Sequence, residues 1–543
     1  MSYGGKVLVD CLAAQGVERV FCVPGESYLA VLNALHDAAI DTVVCRHEGG
    51  AAMMAEADGK LTSRPGICFV TRGPGATNAA SGVHVAQQDS TPMILFVGQV
   101  DRGTVGRDAF QEVDYRRFYG AMAKWVDEIV DPARIPEVVS HAFHVAMSGR
   151  PGPVVIALPE DMLRRACDTV PGGRVEVAEP APAAADLSRL KVLLEAAKRP
   201  FAVVGGSRWN ERAVADLAAF AESWDLPVGC SFRRQSLFDH LHPNYAGDVG
   251  LAINPKLLSR VRESDLLLLI GARFSENPSQ GFSVLGIPEP GRTLVHVHPG
   301  AEELGRIYRP TLAVNATPGT FLAAAPRGPG GNIRAAAAHA DYRRGPEEPP
   351  ANPGKVQMGA VMRHLREVLS ADAFVANGAG NYAAWAHRFH RFRHFGTQLA
   401  PTSGSMGYGL PAALAAALRY RNRTVVCFAG DGCFQMTGQE FATAVQHGAA
   451  MVVLVVDNGM YGTIRMHQER EYPGRVVATS LVNPDFAALA RAYGGHGETV
   501  TDSGEFPAAF QRARDSGLPA LIHLKIDPEA ISPGRTLGQI RER

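Results

Sequence analysis

Short apolar runs recur along the chain, separated by stretches whose apolar residues return at helical spacing. In the first third the runs at 20–23, 43–45, 67–71, 93–97 and 154–158 predict strands. Strands alternating with helices argue for a parallel sheet covered on both faces. A Pro- and Ala-rich stretch, 171–186, reads as a linker. A second block has strands predicted at 201–204, 266–270 and 293–297, and 326–354 reads as a second linker. The third block has strands predicted at 373–376, 424–428, 451–456 and 520–525. The predicted fold class is α/β, with three doubly wound parallel-sheet domains at 1–170, 185–330 and 355–543. Ligands of such sheets bind beyond the carboxyl ends of the strands. Residues 1–21 read as an amphipathic helix with Val7, Leu8, Cys11 and Leu12 on one side. That pattern lacks a basic region before an apolar block, so no signal peptide is expected. The runs at 265–270 and 451–456 are too short to span a membrane.

Charge narrows the partners. The 54 basic and 54 acidic side chains cancel, which speaks against nucleic acid or an anionic membrane. Small molecules and other protein chains remain. The eight cysteines lack metal-ligand spacing and sit among apolar neighbours. They read as reduced core thiols of a cytoplasmic protein.

The richest chemistry follows the strand at 424–428. Gly430-Asp431-Gly432 comes directly after it, a helix is expected near Gly438, and the next strand runs into Asp457-Asn458. A carboxylate and a carboxamide at neighbouring strand ends form a partial shell for magnesium, which prefers oxygen and leaves places for phosphate and water. Glycines beside Asp431 let main-chain N–H groups approach phosphates. A lone Gly-Asp-Gly would be a turn; the run from Gly430 to Glu440, with Asn458 after an apolar strand, resembles the thiamine diphosphate enzymes, in particular the acetolactate synthase-like group. The resemblance spans nearly the whole chain and implies pyrimidine-binding, central and diphosphate-binding domains.

It further implies that Asp431, Asn458 and the carbonyl of Met460 hold Mg2+, and Gly430, Gly432, Cys433, Tyr461 and Gly462 surround the diphosphate. Asn377-Gly378-Ala379-Gly380 would cradle it from the other side. Gly404 would accept a hydrogen bond from the cofactor, and Met406 would wedge beneath it. Read locally, Met406 is a core methionine and 377–380 a plain loop. Thiamine chemistry needs a carboxyl group on the aminopyrimidine ring to start proton removal. Glu48, within Arg46-His47-Glu48-Gly49, stands in the family's catalytic position; its local reading is a dipole partner in a first helical turn. Pro24 and Gly25, and then Pro74 and Asn78 in Gly73-Pro74-Gly75-Ala76-Thr77-Asn78, would line the same region. The resemblance also implies a homodimer or homotetramer whose active sites lie at the subunit interface.

Phe110-Gln111-Glu112 and Lys124-Trp125 are similar to pieces of acetolactate synthases. Phe110 would pack on the reacting carbon and Gln111 would bind a 2-keto acid; the alternative is an exposed loop and an amphipathic helix. The neighbouring histidines of simple pyruvate decarboxylases have no counterpart here. The expected reaction is therefore decarboxylation of a 2-keto acid and joining of the carbanion to a second carbonyl. The alternatives are a lyase or hydrolase of a hydroxy-ketone, diketone or 2-hydroxyacyl-CoA, and a silent scaffold.

Several residues depart from the family pattern. Arg72 stands where Ser is usual, Glu26 where a small residue is usual, and His467 near the position of a Trp. His84 reads as a core histidine or one facing the pocket. His296-Val297-His298 replaces acidic residues in the central domain, which leaves FAD or another nucleotide there open.

Overall fold

The computed structural model describes residues 2–345 and 348–542. Met1, 346–347 and Arg543, which end or interrupt the expected helix, second linker and third domain, lie outside the described residues.

Three six-stranded, all-parallel sheets follow one another along the chain, with helices between their strands. The first holds β1 (Arg19–Cys22), β2 (Asp41–Val44), β3 (Gly66–Val70), β4 (Met93–Gln99), β5 (Trp125–Glu128) and β6 (Pro153–Pro159). The second holds β7 (Pro200–Val204), β8 (Val228–Ser231), β9 (Tyr245–Val249), β10 (Leu266–Ile270), β11 (Thr293–His298) and β12 (Leu312–Asn315). The third holds β13 (Phe374–Asn377), β14 (Gln398–Leu399), β15 (Val425–Gly430), β16 (Val452–Asp457), β17 (His496–Val500) and β18 (Ala520–Lys525).

Central strands such as Met93–Gln99 and Leu266–Ile270 are buried along their whole length. Continuous apolar runs are what a sheet covered on both faces requires. The first sheet has the order β2-β1-β3-β4-β6-β5, and the third β14-β13-β15-β16-β18-β17. Renumbered within each module, these are one topology used twice. The central sheet, β12-β11-β10-β7-β8-β9, has the dinucleotide-binding order, reversing between β7 and β10.

Local expectations fail where a breaker or an edge intervenes. The helix expected over 1–21 is Gly4–Ala14; Gly16 at φ +76° ends it, and β1 follows. The second linker contains the helix Ile333–Arg343, which buries Ala335 and Ala338. The helix expected near Gly438 has a forerunner, Asp431–Gln435, and starts again at Glu440. Trp125 opens strand β5, not a helix.

Buried charge fixes the modules against one another. Asp89, at the end of the helix Pro74–Asp89, is fully buried. It pairs with Lys60 of its own module and accepts from the main-chain N–H and hydroxyl of Thr402 in the third. Arg234 of the central module donates to the Asp89 carbonyl at 2.8 Å. Glu56, also buried, accepts from Thr91 and Tyr408 at 2.6 Å and pairs with Lys60 at 3.1 Å. Burial pushes the Asp89 carboxyl up, but Lys60 and Arg234 outweigh it and hold it below the usual carboxylate range. Its contribution is therefore complete at neutral pH and fades only as pH falls through the lowered value. Asp89→Ala removes the acceptor shared by Lys60 and Thr402, leaving Lys60 only Glu56 and Tyr408, and should cost about 3–5 kcal/mol, read as an earlier unfolding midpoint at pH 7 with a smaller penalty in acid.

Candidate active site

Strand order reverses beside β1 and β3 in the first module and beside β13 and β15 in the third. A crevice opens beyond the carboxyl ends at each reversal. In the third module this crevice is a cavity of about 230 Å³. Its walls include Ala379 and Gly380 after β13, Gly430, Asp431, Gly432 and Cys433 at β15, and Asn458, Met460, Tyr461 and Gly462 after β16. Gly404 and Met406 complete it. Asn377 and Gly378 are buried and do not line this wall. The Asn377 amide donates to the Gly378 carbonyl at 2.7 Å, and its oxygen pairs with His387 at 2.9 Å, which braces the loop.

The glycines are spatially required. A Cβ on Gly432 would lie 2.5 Å from the Tyr461 ring, and one on Gly430 2.8 Å from the Tyr382 ring. Gly404 sits at φ +70° with no atom within 4 Å of its would-be Cβ, so its backbone edges open space. Tyr382 donates to the Cys433 sulfur at 3.1 Å, as does the Gly407 N–H.

Asp431 is buried at the base. Its Oδ2 accepts from the Met460 N–H at 3.1 Å and from Asn483 Nδ2 at 2.8 Å. Asn483 also donates to Asp457 at 2.7 Å, and Asp457 accepts from His523 at 2.7 Å and Gly459 at 2.9 Å. Burial raises the Asp431 carboxyl, and the neighbouring Asp457 adds to the rise. Burial opposes ionisation of Asp457 too, but the bonds from His523 and Gly459 keep it charged. Sequence reasoning missed Asn483 and Tyr382, and named Asp457 only as the end of its strand. Asn483 lies 25 residues beyond Asn458 in a loop, and nothing local marked it.

The corresponding crevice in the first module gathers the other expected residues. Glu48 begins the helix Glu48–Thr62, capped by His47. Its carboxylate accepts from Asn78 Nδ2 at 3.0 Å. A Cβ on Gly75 would meet Thr71 at 2.8 Å and Glu48 Oε1 at 3.3 Å, and one on Gly25 would strike Thr71. Pro24, Gly25, Pro74, Asn78 and Glu48 thus share one edge. Gln111, at φ +65°, packs its Cβ where a Cβ on Gly73 would be, 2.7 Å away. Phe110 is 76% exposed. His84 is exposed on the helix Pro74–Asp89, which overturns the core reading, and His467 is exposed beside Arg470.

Within one chain these half-sites stay apart: the cavity walls run from Ala379 to Ile531 and include no first-module residue. The first module does touch its own third module elsewhere. Glu440 accepts from the N–H groups of Arg46 and His47 at 2.9–3.2 Å, fixing the turn into Glu48 from behind.

The central module offers a third cleft at its own reversal. Gly206, Ala272 and Arg273 lie on its walls with Gln88 and Asp89 of the first module. An adjoining cavity of about 280 Å³ is edged by Arg150, Arg273, Arg306, Glu303 and His296. His296 Nε2 donates to the Ala272 carbonyl, 3.0 Å away, and burial lowers its pKa to about 4, so it is neutral. Arg150 and Arg273 donate to the carbonyls of Gln87 and Gln88 at 2.6 and 2.7 Å.

Two like modules with paired reversal-point crevices, one glycine-lined around a buried Asp and the other carrying Glu48, define a class, and the chain belongs to the thiamine pyrophosphate enzyme family. The family's N-terminal and C-terminal thiamine pyrophosphate-binding domains match residues 3–118 and 378–524, and its central domain matches 187–325. Among relatives, the acetolactate synthase isozyme 2 large subunit of Escherichia coli is 31% identical, covering 99% of both chains. The acetolactate synthase large subunit of Parasynechococcus marenigrum is 32% identical over 96% of this chain and 87% of its own. That of Corynebacterium glutamicum is 30% identical over 97% and 87%.

Gly432→Ala should lower thiamine diphosphate affinity about tenfold through the displaced Tyr461 ring, measured by fluorescence titration.

Proposed function

We propose that the protein is a thiamine diphosphate- and magnesium-dependent carboligase that decarboxylates a 2-keto acid and joins the acyl fragment to a second carbonyl. One observation carries this reading: Glu48 and the Asp431 cavity occupy equivalent crevices of two like modules. The acetolactate synthase relatives support joining over cleavage of a hydroxy-ketone, and retention of Glu48, Asp431 and Asn458 supports an enzyme over a scaffold.

The donor set fits magnesium. Asp431 offers a carboxylate, Asn458 a carboxamide and Met460 a main-chain carbonyl, all oxygen ligands. Asn483 would hold the Asp431 carboxylate in orientation. Glycines 430, 432 and 404 leave room for a diphosphate and ring, and Met406 would support the ring from below. Bound thiamine diphosphate supplies the nucleophilic carbon and the electron sink for loss of CO2. Glu48, oriented by Asn78, would hold the proton on the aminopyrimidine nitrogen. Gln111 would donate to the substrate, and Phe110 would exclude water from its carbon.

The separation of the half-sites supports a homodimer, or a tetramer built from one, with each site shared between chains. Among the described residues no helix is long and apolar enough to cross a membrane. Eight free cysteines, seven of them buried, support a reducing, cytoplasmic setting. The dinucleotide-type sheet and the arginines of the central cleft support a phosphate-bearing nucleotide there.

Glu48→Gln should lower kcat by about 10²–10⁴-fold while calorimetry still detects cofactor uptake. Co-expressing Glu48→Gln with Asp431→Ala chains should restore roughly a quarter of wild-type activity, because each mixed dimer holds one intact site; no recovery would place both residues in one chain's site. Heat-released supernatant should absorb at the adenine band, with a flavin band only if the nucleotide is FAD.

A further inference from the structure

The two departures of the first module touch one another. Glu26 follows β1 and Arg72 follows β3, the strands between which the order reverses. Their ion pair, at 3.2 Å, therefore bridges the mouth of the crevice that holds Glu48. Thr71, next to Arg72, packs on Gly25 on one side and Gly75 on the other, and Gly75 in turn faces Glu48. Gln111, the expected substrate contact, packs on Gly73. The pair thus stands among the residues assigned to substrate.

The exposed end of the pair is negative. Arg72 also pairs with Glu160 at 3.3 Å, and Glu160 pairs with Arg164 at 3.3 Å. One Arg72 Nη faces each carboxylate, and its Nε is buried without a partner. The Arg72 side chain is 12% exposed, whereas that of Glu26 is 56% exposed. The guanidinium is spent on anchoring, and a fixed carboxylate is what an incoming molecule meets.

We propose that Glu26, held by Arg72, sets acceptor specificity: it admits an uncharged aldehyde and turns away a second 2-keto acid. This rests on the carboligation reading above. The donor sheds its carboxylate as CO2 before the acceptor adds, whereas a keto-acid acceptor keeps its carboxylate beside Glu26, and like charges repel. An aldehyde carries no such charge. The reaction balances without an oxidant or reductant. The donor's C1–C2 bond breaks and releases CO2. The electron pair left behind becomes the new bond to the acceptor carbonyl carbon. The acceptor oxygen takes one proton, and a hydroxy-ketone leaves.

The test offers holoenzyme pyruvate as donor, with propanal and 2-ketobutyrate at equal concentration as acceptors. CO2 release and products are quantified separately. The expected outcome is neutral hydroxy-ketone in at least about tenfold excess over all acetohydroxy acids, acetolactate included. Glu26→Gln should lower that ratio about tenfold or more, a change that a purely structural role for Glu26 would not produce. Acetohydroxy acids as the main wild-type products, with CO2 still released, would overturn the acceptor assignment and leave the carboligation reading standing. Should Glu26→Gln not fold, the wild-type ratio decides alone. Absence of CO2 from any 2-keto acid would overturn the carboligation reading, and the acceptor assignment with it.

Discussion

A parallel sheet cannot close over the end of its own strands where their order reverses. Helices that cover one face on the left of β1 cover the opposite face on the right, so the loops part there and leave a gap. This chain makes that gap twice with one topology, at β1/β3 and at β13/β15. The chemistry is divided accordingly. One gap has glycines and the oxygen donors Asp431 and Asn458; the other has the Glu48 carboxylate with Asn78 beside it. Neither is a complete site, and within one chain they do not meet.

The seams within a chain explain how two incomplete gaps can be aimed so well. Glu440 takes its hydrogen bonds from the peptide N–H groups of Arg46 and His47, so the third module holds the backbone from which Glu48 projects. Burial raises the Glu440 carboxyl above its usual range, and those N–H groups and Thr443 work against the rise. At the other seam Asp89, Glu56 and Lys60 tie the first module to Thr402 and Tyr408, a few residues either side of Met406. Buried polar groups satisfied across a seam leave few alternative dockings, because any slip strands a charge. The glycine-to-alanine contact between the helices Glu48–Thr62 and Pro74–Asp89, at Gly82 and Ala52, adds close packing to that arrangement.

Much of this was written in the chain itself. Three α/β modules followed from alternating apolar runs, and the Asp431 and Glu48 neighbourhoods followed from the family resemblance that the glycines and acids just after strands carry. The central strands were legible because burial on both faces makes them uniformly apolar. Six strands, β5, β8, β9, β12, β14 and β17, escaped because they are short or lie toward sheet edges, where polar residues such as Asp127 and Glu498 are tolerated. The helix Ile333–Arg343 was hidden by flanking glycines and prolines. His84 was misplaced because a single histidine between apolar residues reads as inside, whereas helical spacing turns it outward. Asn483 could not be found at all: its role depends on Asp431 and Asp457 converging on it from two strands. The ion pair between Glu26 and Arg72 was equally invisible, since each residue alone is an isolated oddity.

The helix Pro74–Asp89 has 16 residues and is therefore about 24 Å long. Pro74 and Asn78 stand at its start, beside Glu48. Its last three carbonyls, of Gln87, Gln88 and Asp89, are gripped by Arg150, Arg273 and Arg234, two of them from the central module. Gln88 and Arg273 are at once its terminal clamp and walls of the central cleft. One stiff strut thus joins the central module to the edge that carries Glu48, so the arginines at its far end fix where Pro74 and Asn78 stand.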